Sequence, residues 1–87
     1  MSEVQIDRRA LNRAKQKDES YMLTMGEVCA VCQARLGISR TKYYNDVRPL
    51  IEDRFKYVDA SGSTQRMKKE DLLEELKKIA EEGFPVY

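Results

Sequence analysis

Thr41, Lys42, Asn45 and Arg48 recur at helical spacing in one short stretch, just after Arg40. These residue types can read nucleic acid. Asparagine pairs with an adenine edge and arginine with a guanine edge, each through two hydrogen bonds, and a threonine methyl suits thymine. Arg40 and Lys42, at the start of the stretch, suit phosphate oxygens. Tyr44 lies on the flank, placed for either packing or a phosphate hydrogen bond. A second polar set follows at Ser61, Gly62, Ser63, Thr64, Gln65 and Arg66. A small tip carrying one guanidinium fits a narrow minor groove, whose negative potential attracts arginine. Lys56 and Lys68 flank it as phosphate neighbours.

The other chemistry-bearing pair is Cys29 and Cys32, spaced C-x-x-C. A closed zinc site needs about four ligands, and the chain has no other cysteine and no histidine. The sequence lacks the βαβ context of a redox pair. The expectation is two small apolar residues on one side of a helix, with no metal and no cofactor. The absence of histidine also removes the commonest general base. No nucleophile–base constellation and no Gly-rich phosphate loop is present, so the expectation is a protein that is not an enzyme.

Net charge is only +1, but it is unevenly spread. Residues 1–69 hold fourteen Lys/Arg against nine Asp/Glu, and residues 70–87 hold two against six. A basic body thus precedes an acidic end, which leaves room for a phosphate-facing surface. At 41% apolar and 36% charged residues, without an apolar run near the roughly 20 residues of a membrane span, the chain reads as cytoplasmic.

The elements that position these residues follow from local signals. Residues 1–20 are dense in charge; Ile6, Ala10 and Ala14 recur every four residues and allow a weak helix, but so thin a stripe predicts a basic arm that is frayed in isolation and open to ordering on a partner. Tyr21–Leu23 is a short apolar lead-in. Thr24 and Glu27 have capping-box spacing, so a helix begins after Thr24, with Val28, Val31, Cys32 and Leu36 inward. Gly37 ends it, and Ser39 caps a second helix running to about Arg48, before Pro49. At about 100° per residue, Tyr43 and Val47 face the core with Ile38, while Thr41, Lys42, Asn45 and Arg48 face away. Phe55–Val58 and Thr64–Met67 alternate around a turn cluster and predict a β-hairpin. Residues 69–82 form an amphipathic helix with Leu72, Leu73, Leu76, Ile79 and Ala80 as its stripe, and 83–87 are an apolar tail. The fold class is mainly α with a small β-hairpin, in the order α-turn-α-β-β-α. That order is a winged helix-turn-helix, with residues 39–48 as recognition helix and 59–66 as wing.

The stretch from Leu23-Thr24 and Glu27, through Leu36-Gly37-Ile38-Ser39-Arg40, to Arg66-Met67-Lys68-Lys69 and Asp71-Leu72 resembles the excisionase and MerR-like winged-helix superfamily. The likeness covers about residues 21–80 and favours the small excisionase branch, since no effector part is present. Departures are a first helix about one turn longer than usual and Lys69 where a better N-cap often sits. The resemblance implies a double-stranded DNA binder, either a recombination directionality factor or a small transcriptional regulator, associated with the nucleoid. Its partners would be a recombinase or the transcription machinery, with self-association on DNA. The capped helix starts at Thr24 and Ser39 are expected to offer amides to phosphates. The competing expectation is a protein-interaction module docking through the acidic last helix and the tail.

Overall fold

The computed structural model describes residues 6–57 and 65–83. They form a mainly helical fold with a small antiparallel sheet. Helix α1 spans Arg8–Gln16, strand β1 Met22–Thr24 and helix α2 Met25–Leu36; a composite helix then runs through α3 (Arg40–Lys42), a wide turn (Tyr43–Val47) and α4 (Arg48–Ile51). A 3₁₀ turn at Glu52–Arg54 leads to β2 (Lys56–Tyr57), β3 (Gln65–Lys68) and α5 (Lys69–Glu82).

Helix α1 corrects the expectation of a frayed arm. Asp7 caps it, its carboxylate accepting from the Arg9 and Ala10 amides. Ala10, Leu11 and Ala14 are buried against α2. The apolar stripe looked thin because two of its members are alanines. Small side chains let two helices approach closely, so little apolar volume is needed to seal the contact. This also explains why α2 is buried on more sides than its own pattern asked for. Ala30, Gln33 and Glu27 are buried beside Val28, Cys29, Val31 and Cys32, while Leu36 is only half-buried.

Tyr21–Leu23 is more than a lead-in. Its last two residues open strand β1, which pairs antiparallel with β3, and β3 in turn pairs with β2, giving the order β1-β3-β2. Leu23 lies opposite Met67, and both point fully into the core. The other side of the sheet therefore carries Met22, Thr24, Lys56, Arg66 and Lys68, by the registers Met22 to Lys68, Thr24 to Arg66 and Lys56 to Arg66. The hairpin expectation is met as far as β2 and β3 pair. Ser61, Gly62, Ser63 and Thr64 at its tip lie outside the described residues, as does the tail at 84–87.

Gly37 ends α2 with φ +64°, in the left-handed region that suits glycine, and its N–H bonds the Gln33 carbonyl at 2.8 Å. A side chain there would meet nothing within 4 Å, so backbone conformation and not crowding asks for glycine. Ile38 plugs into the core. The Gln33 side chain, buried, donates to the Ile38 carbonyl at 3.4 Å and fastens the turn.

The composite helix does not stop before Pro49. It continues to Ile51, which is wholly buried. Proline lacks an N–H, and its ring clashes with the carbonyl four residues back in an α-helix. The wide turn resolves this. The Arg48 amide bonds the Tyr43 carbonyl, five residues back, so the turn opens before proline arrives.

Helix α5 has no side-chain cap; its N-cap is Lys68, one residue before the Lys69 expected at that place. Its first amides are taken by chain neighbours instead: Lys69 N–H bonds the Tyr21 carbonyl and Glu70 N–H the Glu19 carbonyl, both at 2.9 Å. The Lys69 ammonium donates to the carbonyls of Ala14 at 2.8 Å and Lys17 at 2.7 Å. It thereby caps the C-terminal end of α1, where a cation also meets the negative end of the helix dipole. Leu72, Leu76 and Ile79 are buried, Leu73 is half-buried and Ala80 is exposed.

Candidate nucleic-acid interface

Tyr43 and Val47 anchor the composite helix, both buried as their spacing required. Ser39 caps its start, its hydroxyl accepting from the Lys42 amide at 3.1 Å. With that side fixed, Arg40, Thr41, Lys42, Tyr44 and Asn45 are all exposed. Tyr44, at 42%, is the most exposed large apolar residue among those described. Its ring stands edge-on to Tyr43, with centroids 5.0 Å apart.

Tyr44 sits between two cations. The Arg40 guanidinium lies 5.9 Å from its ring centroid and that of Arg48 5.7 Å. Its nearness to Tyr44, before any other neighbour, holds the Arg40 guanidinium above the usual arginine pKa. The three residues make a cation–aromatic–cation ladder at four-residue steps.

Arg48 differs from its expected place. It is half-buried, with its guanidinium also 5.7 Å from the Phe55 ring centroid. The wheel that put it opposite the core assumed a regular α-helix throughout. The wide turn closes on five residues, so Arg48 swings back toward the Tyr43 side and lodges between Tyr44 and Phe55. The stack leaves the guanidinium oriented before any partner arrives.

Lys42 is also engaged, its ammonium 2.7 Å from Asp46, in an exposed pair four residues apart. Asp46 was missing from the sequence reading, although the i, i+4 spacing of a lysine and an aspartate on one helix was there to find. At the start of α2, the Thr24 hydroxyl accepts from the Glu27 amide at 3.2 Å, and Glu27 accepts from the Thr24 amide at 2.9 Å. The capping box is therefore formed, with an unforeseen consequence. The Glu27 carboxylate is fully buried there and already supplies the negative charge at this helix start, so Thr24 offers no open anion seat. Its second oxygen lacks a hydrogen bond, and the Arg13 guanidinium stands 3.7 Å away.

On the sheet, Arg66 is half-buried and donates to the Met22 carbonyl at 3.1 Å. Lys68 approaches Glu70 at 3.7 Å. Lys56 is exposed and Gln65 half-buried. Lys56 and Arg66 stand directly opposite on neighbouring strands, an arrangement of like charges that does not favour the pairing. Arg66 leans away from Lys56, toward β1.

Sequence reasoning also missed Arg54. Its guanidinium lies 3.4 Å from Asp71, 3.7 Å from Glu74 and 3.3 Å from Glu75, tying the 3₁₀ turn to the acidic face of α5. Cys29 and Cys32 are both buried in α2 as free thiols, and burial pushes Cys32 up to about 12. Among the described residues no three ligands gather as a metal site, and no helix is long and apolar enough to cross a membrane. No protein-family model, curated protein or solved structure matches the chain.

Proposed function

We propose that the chain is a non-catalytic, sequence-specific binder of double-stranded DNA with a winged helix-turn-helix. The composite helix would enter the major groove, and the β2–β3 strands would lie against the minor groove or backbone. One observation carries this reading. The helix after the Gly37–Ser39 turn is anchored on one side by Tyr43 and Val47, and on the other exposes Thr41 and Asn45 beside the Arg40–Tyr44–Arg48 ladder. Base-reading types thus lie outermost, with a stacked guanidinium held ready beside them. On the resemblance to excisionase-like proteins, the role would be recombination directionality or transcriptional regulation, with a recombinase or the transcription machinery as partner.

Docking through the acidic last helix is the weaker reading, because three of its six carboxylates, those of Asp71, Glu74 and Glu75, already face Arg54. The test is selection of a preferred duplex from a random pool, followed by titration of variants against it. Asn45→Ala should cost roughly 1–3 kcal/mol on the preferred site and little on random duplex. Lys42→Ala should weaken both alike. Failure of the wild-type chain to bind any duplex at low salt overturns the proposal.

A further inference from the structure

Helix α1 carries four cations and no acid between Arg8 and Gln16. Packing sorts these charges into two flanks. With Ala10, Leu11 and Ala14 inward, Arg9 and Arg13 share one edge, four residues apart, while Arg8 and Lys15 lie toward the other. Lys15 lines a groove with Leu11, Lys69 and Leu73, on the α5 side. Arg13 instead reaches Glu27 at the start of α2. The cap of α1, Asp7, shares a small cavity with Gly26 of α2 and with Arg40, the first residue of the composite helix. Across the start of α2, Thr24 stands opposite Arg66 on the sheet.

The Arg9–Arg13 edge therefore adjoins the N-terminal end of α2 and runs on toward Arg40. Helix stability accounts for Arg13, a cation in the favourable last turn, but not for Arg9. Arg9 sits in the first turn, at the positive end of the helix dipole, where an acid would be favoured. Arg9 and Arg13 also repel each other at i, i+4. Both arginines are largely exposed, and the one ion pair they make among the described residues, Arg13 to the Glu27 carboxylate, spans 3.7 Å.

We infer that the Arg9–Arg13 edge of α1 is a phosphate-contacting strut that lengthens the DNA footprint beyond the major-groove helix. This rests on the DNA-binding reading above. The partner is the sugar–phosphate backbone, by charge complementarity and by continuity with Arg40. The contact carries no base preference.

Arg9→Gln is the clean test, because it removes a cation from the unfavourable end of a helix and leaves the Glu27 pair alone. Its melting temperature should equal or exceed that of the wild type. Binding to preferred and random duplexes should weaken equally, by about fivefold at 0.15 M salt, and the slope of log K against log salt should become shallower by about 0.9. Arg13→Lys should retain most of the affinity, and Lys15→Gln, on the far edge, should change neither slope nor affinity. If the wild type binds duplex but Arg9→Gln matches it in slope and affinity, the strut is refuted and the DNA-binding reading stands. A loss confined to the preferred duplex also overturns it, since that marks a base contact. If the wild type binds no duplex, both proposals fall together.

Discussion

Replacing Lys69 by methionine keeps the apolar stem along the groove it shares with Leu11, Val31 and Leu73 and removes only the ammonium. That ammonium makes two hydrogen bonds, to the Ala14 carbonyl at 2.8 Å and the Lys17 carbonyl at 2.7 Å. Hydrogen bonds to a charged group contribute about 1.5–3 kcal/mol each when shielded, and the exposed Lys17 contact counts below the low end. The helix-dipole contribution at the end of α1 adds roughly 0.3–1 kcal/mol. Rotamer freedom regained by the side chain offsets up to about 1.5–2 kcal/mol. The net expected loss is about 2 kcal/mol, which for a domain of this length lowers the melting temperature by roughly 8–16 °C. Urea denaturation and thermal melting measure it directly. Amide hydrogen exchange locates it, since protection in α1 should fall further than protection in α5. A drop under about 2 °C would refute the reasoning, because α1 would then be held by Ala10, Leu11 and Ala14 alone.

Two further outcomes follow from the same packing. Arg54→Ala should cost about 1 kcal/mol at low salt, as exposed ion pairs contribute about 0.2–1 kcal/mol each and share one guanidinium here. Most of that cost should vanish in about 1 M salt, where screening acts within about 3 Å, and an equal loss at both salts would sink the electrostatic account. Burial raises the ionisation of Cys32 to about 12 and moves Tyr43 in the same direction. Groups with a raised folded pKa contribute stability that is intact below the unfolded value and lost as pH climbs to the folded one. Urea stability should thus hold up to about pH 9 and decline toward pH 12, with a shallower decline in Cys32→Ala. An unchanged decline in that variant removes the thiol from the explanation.

The parts legible in the sequence are those set by neighbours within a turn of chain. The Thr24–Glu27 box, the Gly37 stop, the Ser39 cap and the inward Ile38, Tyr43 and Val47 all follow from spacings of three to five residues. What escaped reading depends on partners far along the chain or on a departure from regular helix. Lys69 caps a helix that ended more than fifty residues earlier, and Arg54 finds its carboxylates on α5. The wheel misplaced Arg48 because it has no means of representing a turn that closes on five residues. The thin stripe of α1 could have been read as a helix seam, had the alanines been weighed by how close they let α2 approach.

The wide turn at Tyr43–Val47 amounts to one extra residue accommodated inside a continuous helix. It works as a phase shifter: the half before it addresses the exterior, and the half after it is rotated to lodge Arg48 and bury Ile51. Deleting one residue there would bring Arg48 four residues after Tyr43, about 40° away in a regular α-helix, so Arg48 and Ile51 would keep their places while the outer face loses one residue. Variation in length, as much as in residue type, would therefore retune this surface. A substitution scan cannot explore that axis, and a scan of single-residue deletions across 43–47 can.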